Sequence, residues 1–141
     1  MSNLAGFLKP NVEQLENKKI VVSRRMKDEN GNPYEWEFRP LSATEDDVIR
    51  RRYTQRVQVP GKKGRFTMDF DGNGYVLATV AARCVFPPLD SAELQNSYGV
   101  LGAENVLLAM LTDDEYNNLI AELKSDNDPE SMDNLVDGAK N

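Results

Sequence analysis

The apolar residues of this chain repeat with two different periods, one mostly before Asn73 and one mostly after it. Before Asn73, Tyr34, Trp36 and Phe38 alternate with charged residues, the period of two that is typical of a half-buried strand. After it, apolar residues recur at helical spacing, as on the buried face of a packed helix. The order predicts an α+β fold in which N-terminal β-hairpins pack on a C-terminal set of short helices.

Two hairpins are expected in the N-terminal half. The β-branched residues of 19–26 favour a strand that turns at 28–33, where Asn30-Gly31 can supply positive φ angles, and returns along the aromatic strand. Trp36 is therefore expected to be buried against the helices. Segments 57–60 and 65–70 are strand-like as well, and the basic loop 61–64 joins them into a second hairpin or a mobile flap.

Helix signals surround these strands. Ser42 and Glu45 match a capping box, which predicts a helix over 44–55 with Val48, Ile49 and Tyr53 on its buried face. A second helix should begin near Asn73 and end before Pro87-Pro88. Its apolar stripe comprises Val76, Leu77, Val80, Ala81, Cys84 and Val85. Shorter helices should follow, with caps at Asp90-Ser91 and at Thr112 with Glu115; the last has a core face of Tyr116, Leu119, Ile120 and Leu123.

Length and composition predict one domain over residues 1–125 and an acidic, flexible tail over 126–141. The tail contains Met132, Leu135 and Val136, spaced three and one apart. These side chains could line one face of a short helix that orders only against a partner, or they are incidental apolar residues of a frayed tail.

Charge is distributed unevenly. Residues 1–85 carry 15 Lys/Arg and 11 Asp/Glu, whereas residues 86–141 carry 2 and 12. The basic segment from Arg50 to Arg65, with Tyr53 and Phe66 available for stacking, could serve a small nucleic-acid-binding module. The acidic total and the absence of a recognised nucleic-acid motif favour a solvated surface of mixed charge instead.

The sequence offers little for catalysis. It contains no histidine, which removes the usual nucleophile pairs and histidine metal sites, and Cys84 lies on an apolar stripe, where packing is its expected role. Asp69 to Gly74 match the first half of a calcium loop, but Val80 occupies the position of the closing carboxylate, so Asp71 or Asn73 is expected to cap a helix. We therefore expect no enzymatic activity, no cofactor and no metal.

The expected compartment is the cytoplasm. A single cysteine cannot form an intramolecular disulfide and suits a reducing interior. The first ten residues lack the basic and apolar regions of a signal peptide, and no apolar run approaches the ~18 residues that span a bilayer.

The most specific pattern lies between Pro88 and Leu119. It comprises Pro88-Leu89-Asp90, Glu93-Leu94-Gln95, Tyr98-Gly99-Val100, Leu107-Leu108, Met110-Leu111, Glu115-Tyr116 and Leu119. Together with Phe7 to Asn11 and Phe38 to Leu41, this pattern resembles the XkdN-like tail assembly chaperones of phages and prophages. The resemblance implies a non-enzymatic protein of the host cytoplasm that binds the tape measure protein, assists assembly of the tail tube protein around it and is absent from the mature virion.

Two readings of a binding surface follow. A chaperone needs an accessible apolar patch, which we expect around Tyr98, Leu101, Leu107 and Met110, beside Gly99 and Gly102, with the apolar tail residues as a competitor or a further anchor. Alternatively, Leu107 and Met110 are plain core. A minor tail structural protein or an adaptor would share these features, and one sequence leaves the oligomeric state open.

Overall fold

A computed structural model of the protein describes residues 3–125, in which strands dominate the N-terminal half and helices the C-terminal half. This order confirms the α+β class. In chain order the elements are β1 (Lys18–Ile20), β2 (Trp36–Phe38), α1 (Ala43–Arg52), β3 (Thr54–Gln58), β4 (Phe66–Phe70), α2 (Gly72–Arg83), β5 (Cys84–Phe86), α3 (Ala92–Tyr98), α4 (Ala103–Met110) and α5 (Asp113–Ser125).

The first sheet has the antiparallel strand order β1-β2-β5. Ile20 pairs with Trp36 and Lys18 with Phe38, as the hairpin prediction requires, but the first strand ends at Ile20 and does not continue to Met26. The chain beyond it leaves the ladder and returns through a turn in which Asp28 accepts hydrogen bonds from two backbone amides. Gly31 supplies the positive φ of this turn, at 83°.

The aromatic strand is buried in the centre of this sheet. Trp36 is 1% exposed and Phe38 is fully covered, which confirms the predicted burial of Trp36; Tyr34 remains 44% exposed and meets the edge of Phe86. Helices α2, α4 and α5 cover the two buried rings. The core comprises Trp36, Phe38, Val80, Leu89, Val106, Leu107, Met110, Leu119 and Leu123.

The second hairpin, β3–β4, is inserted between α1 and α2. Its register runs from Thr54 opposite Phe70 to Gln58 opposite Phe66, which confirms the hairpin. Among residues 3–125 these two strands form a sheet of their own, and every residue of β4 is exposed. The hairpin therefore projects from the body of the domain, with Lys62 and Lys63 at its tip.

The predicted capping box at the start of α1 is present. Ser42 Oγ accepts from the Glu45 amide at 3.1 Å, and Glu45 Oε1 accepts from the Ser42 amide at 3.2 Å. The helix ends at Arg52, three residues earlier than expected, because Thr54 already pairs in β3. The prediction of a buried Val48 was wrong, since Val48 is 52% exposed while Ile49 is buried.

Helix α2 stops at Arg83, so the last two residues of the predicted stripe are not helical. Cys84 pairs with Phe38 in β5, and Val85 lies at a bulge with 45% of its surface exposed. The physical reason is the Pro87-Pro88 pair, which biases the residue before it toward extended backbone and away from helix. The extended segment then pairs with β2 as the third strand of the sheet.

The C-terminal helices begin at the predicted caps. Ser91 caps α3, and Thr112 and Glu115 exchange capping-box hydrogen bonds at the start of α5. Leu119 and Leu123 are buried on the core face of α5, and Tyr116 and Ile120 are partly buried beside them. None of the helices within residues 3–125 combines the length and the apolarity needed to cross a bilayer.

The predicted tail, residues 126–141, lies outside the described residues. One domain over 1–125 followed by a flexible tail stays a prediction.

Candidate interaction surfaces

The corner between α3 and α4 presents the predicted apolar residues Tyr98 and Leu101 at the surface. Leu101 is 79% exposed and Tyr98 is 40% exposed. Two side chains hold the corner: Gln95 Oε1 accepts from the Gly102 amide at 3.0 Å, and Asn105 Nδ2 donates to the Leu101 carbonyl at 2.7 Å. Leu101 is therefore presented on a fixed loop, with little ordering cost on binding.

Leu107 and Met110 occupy the opposite side of α4 and belong to the core. Leu107 is fully covered and Met110 is 5% exposed. Neither side chain has the accessible surface that a client contact requires. In the structure both are core residues, which is the alternative that the sequence also allowed. Met132, Leu135 and Val136, the remaining predicted contacts, lie outside the described residues.

The hairpin β3–β4 carries a second exposed apolar group, of which the sequence pointed only to Phe66, as a possible stacking residue. Phe66, Met68 and Phe70 are 48%, 64% and 43% exposed. Because they are two residues apart on one strand, they share a face. We call these three side chains the hairpin strip. Their period of two was visible in the sequence, but nothing in the sequence distinguishes a strand face that packs on the core from one that projects into solvent.

Arginine side chains lie over the rings of the hairpin strip. The Arg56 guanidinium carbon lies 4.0 Å from the Phe66 ring centroid, and that of Arg50 lies 5.4 Å from Phe70 and 4.4 Å from Tyr75. Cation–π contacts of this kind position the charged groups at the edge of the apolar surface. The strip is thus apolar along its centre and cationic at its border.

An apolar groove of about 600 Å³ lies between the start of α1, the exposed side of α2 and the end of α5. Its charged lining residues are Asp46, Arg83 and Lys124, and the Tyr75 hydroxyl donates a hydrogen bond to Asp46. The floor is formed by aliphatic side chains: Leu41, Val76, Val80, Ile120 and Leu123. A groove of this size and character suits apolar side chains of another molecule better than a polar metabolite.

The N-terminal segment ahead of β1 exposes further apolar side chains. Two short 3-10 turns, Ala5–Phe7 and Lys9–Asn11, contain local backbone hydrogen bonds and are joined by one from Asn11 Nδ2 to the Ala5 carbonyl at 2.8 Å. The exposed group comprises Leu4, Phe7, Leu8, Val12 and Leu15. Exposed apolar side chains thus occur at this segment, at the hairpin strip and at the α3–α4 corner, and also around Tyr34, Val85 and Phe86.

The basic segment from Arg50 to Arg65 divides into two environments. On α1, Arg50 and Arg51 pair with the carboxylates of Asp46 and Asp47 one turn earlier, at 3.7 and 3.0 Å, so charge there is interleaved. On the hairpin, residues 54–70 carry four basic side chains and one acidic one, Asp69. Only the hairpin part retains an excess of positive charge.

The groups examined for catalysis have structural roles. Asp71 caps α2 by accepting from the Gly74 amide at 3.0 Å, as predicted for the partial calcium loop. No three histidine, cysteine or acidic side chains converge as a metal site within residues 3–125. Burial raises the pKa of the Cys84 thiol to about 12, and its Sγ donates to the Pro87 carbonyl oxygen, so the thiol stays protonated near neutral pH.

An ion pair attaches the segment after β1 to α5 beside the α3–α4 corner. Arg25 Nη2 donates to Glu115 Oε1 at 2.6 Å and to the Met110 carbonyl at 3.0 Å. The hydrogen bond from Arg25 lowers the pKa of Glu115 to about 2. A second pair, Arg39 with Glu45, lowers the pKa of Glu45 to about 2 in the same way. Both carboxylates are thus charged and paired rather than poised for proton transfer.

Comparison with known proteins identifies a family. The family described as "Phage XkdN-like tail assembly chaperone protein, TAC" matches residues 4–140. The crystal structure of the protein yqbn shares the fold, with a TM-score of 0.70 over 86% of this chain and 92% of that one, at 17% identity. Comparison with curated proteins gives no significant match.

Proposed function

The chain belongs to the phage XkdN-like tail assembly chaperone family, and from that premise we propose that it binds the tape measure protein and keeps it available while the tail tube assembles around it. The family match over residues 4–140 carries this proposal. The chain works without catalysis, in the host cytoplasm, and leaves before the virion is complete. Its partners are tail proteins: the tape measure protein first and the tail tube protein second.

The α3–α4 corner supports a client contact. Leu101 is an almost fully exposed aliphatic side chain on a loop that Gln95 and Asn105 hold in place. Covering one such side chain contributes about 1.5–3 kcal/mol to binding. Tyr98 lies beside it and adds an aromatic ring with a polar tip, a residue type enriched at interfaces.

Co-expression of the full chain with the tape measure protein of the same genome tests the proposal. The wild-type chain should co-purify with the tape measure protein and raise its soluble fraction. Leu101→Asp should lower the yield of complex roughly tenfold, because it removes an apolar contact and adds a charge there. Val48→Asp is the control, since Val48 is 52% exposed but lies on α1, outside the α3–α4 corner, the hairpin strip and the N-terminal segment.

Two results would contradict the proposal. One is a tape measure protein whose solubility is the same with and without the chain. The other is an equal loss of complex in Leu101→Asp and Val48→Asp, which would remove the α3–α4 corner from the contact. Deletion of residues 126–141 separately tests Met132, Leu135 and Val136: tighter binding identifies them as a competitor of the client, and weaker binding identifies them as an anchor.

A further inference from the structure

The hairpin strip is a row of three apolar side chains on β4 that the described fold leaves half exposed. Each of Phe66, Met68 and Phe70 retains at least 43% of its surface, although β4 lies in a regular antiparallel pair. Directly opposite residues of such a pair point to the same side, so Arg56 shares the face with Met68. An isolated two-stranded hairpin is marginally stable in water, and a partner covering this face would stabilise it.

The charge of the hairpin selects an anionic partner. Residues 54–70 have a net charge of +3 from Arg56, Lys62, Lys63 and Arg65 against Asp69. Arg56 borders the strip at Phe66, and Arg50 borders it at Phe70. Carboxylates on a partner would therefore meet the Arg56 guanidinium and the other basic side chains of the hairpin.

The spacing of the strip matches a helix. A strand rises about 3.3 Å per residue, so Phe66 and Phe70 are about 13 Å apart along β4, with Met68 midway. A helix rises 1.5 Å per residue, so apolar residues at positions i, i+4 and i+8 span about 12 Å. Three apolar side chains on one helix face can thus lie against the three side chains of the strip.

The apolar surface continues beyond the hairpin. The Phe70 ring lies 5.4 Å from the Tyr75 ring, and Tyr75 also lines the groove between α1, α2 and α5. A helix along the strip would therefore extend over further apolar surface at its Phe70 end. This continuity gives the site more area than three side chains alone would provide.

We propose that the hairpin β3–β4 binds an anionic amphipathic helix, with the apolar stripe of the helix on the hairpin strip and its flanking carboxylates directed to Arg56 and the other basic side chains of the hairpin. The contact is separate from the α3–α4 corner. This contact rests on the proposed function only for the identity of the helix, which would be a segment of the client.

Binding of a designed peptide to the full chain tests this contact without the client. The probe is a fluorescein-labelled helix of about 20 residues with Leu at spacings of three and four residues, so that they form one stripe, and Glu on both sides of that stripe. Fluorescence anisotropy should show saturable binding that weakens as salt rises. A peptide with Lys in place of Glu should bind at least about tenfold more weakly.

Two adjacent substitutions on β4 locate the site. Met68→Glu places a carboxylate on the strip, whereas Thr67→Glu places the same charge on the opposite face of the same exposed strand. Met68→Glu should weaken peptide binding at least about tenfold, since it removes an apolar contact and adds a carboxylate that repels the acidic peptide. Thr67→Glu should change it less than about twofold. Both positions are exposed, so both variants should fold.

Other outcomes overturn the inference. Equal effects of the two substitutions, equal binding of the acidic and basic peptides, or no binding of the acidic peptide would each exclude the proposed contact. Tight binding of an oligothymidylate that displaces the peptide would make the strip a nucleic-acid stacking surface instead. If the peptide does not bind but the tape measure complex forms, the proposed function stands and this contact is excluded. If the peptide binds but no tape measure complex forms, the contact stands and the proposed function is excluded.

Discussion

Leu107→Ala should destabilise the protein strongly, whereas the same change at Leu108 should not. The two residues are neighbours in α4, so both substitutions change helix propensity equally. Leu107 is fully covered within the core, and Leu108 is 45% exposed. The comparison therefore isolates burial, and it separates a core role for Leu107 from the surface role that the sequence also allowed.

The expected magnitude follows from the burial. Removing a fully buried Leu side chain costs its transfer free energy plus a term for the cavity that remains, about 2–5 kcal/mol in total. With a urea m-value of about 2 kcal/mol/M, the unfolding midpoint falls by about 1–2.5 M. Leu108→Ala should cost under about 1 kcal/mol and shift the midpoint by less than about 0.5 M.

Urea unfolding followed by fluorescence measures both variants. Trp36 is the single tryptophan of the chain and is 1% exposed in the same core cluster as Leu107, so its emission reports loss of that core. Far-UV circular dichroism should give the same midpoints if unfolding is two-state. Midpoint shifts for Leu107→Ala and Leu108→Ala that agree within experimental error would refute the placement of Leu107.

Three further perturbations have defined outcomes. Glu115→Gln keeps the cap acceptor but removes the charge paired with Arg25. Folding lowers the pKa of Glu115 from 4.5 to about 2, so the stabilising effect of its charge is complete above about pH 4.5 and is lost as the pH falls toward 2. The difference in unfolding free energy between wild type and Glu115→Gln, measured by urea titration, should shrink over that pH window. A difference that stays constant with pH would contradict the pairing. Ser42→Ala should cost about 1 kcal/mol through loss of the α1 cap and Ser42→Gly only a few tenths, and thermal unfolding that ranks them otherwise would exclude the cap. Cys84 in the native protein should react with a thiol reagent at pH 8 at least about tenfold more slowly than in guanidinium chloride, since burial raises its pKa from 9.0 to about 12; similar rates would show an accessible thiol.

Local signals in the sequence were enough to predict most elements. The Ser42 and Thr112 capping boxes are short-range hydrogen-bond patterns, and the structure has both. The alternation around Trp36 correctly predicted a buried strand face, because a strand that faces the core must alternate. Gly31 likewise supplies the positive φ that its turn requires.

Features that depend on distant partners could not be predicted in the same way. Cys84 and Val85 continue the helical period of α2, yet the ladder of β2 and the following prolines make them a strand. Val48 has a helical spacing that suits burial, but the described fold leaves it uncovered. In each case the sequence gives the periodicity, and tertiary packing decides which face is covered.

The candidate surfaces show the same difference between features set by local sequence and features set by tertiary packing. Leu101 was predicted from its glycine-flanked loop, a local feature, and it is exposed. Leu107 and Met110 follow it in sequence but turn inward with α4, because their helix face packs on the aromatic strand. The hairpin strip was missed since its exposure depends on where the whole hairpin projects.

The most direct test of the chaperone role is deletion of the gene in its phage or prophage, followed by electron microscopy and mass spectrometry of the purified particles. The account predicts heads without assembled tails, restoration of tails when the chain is supplied in trans, and no copies of the chain in the restored virions. Assembled tails in its absence, or stoichiometric copies of the chain in the finished virion, would contradict it.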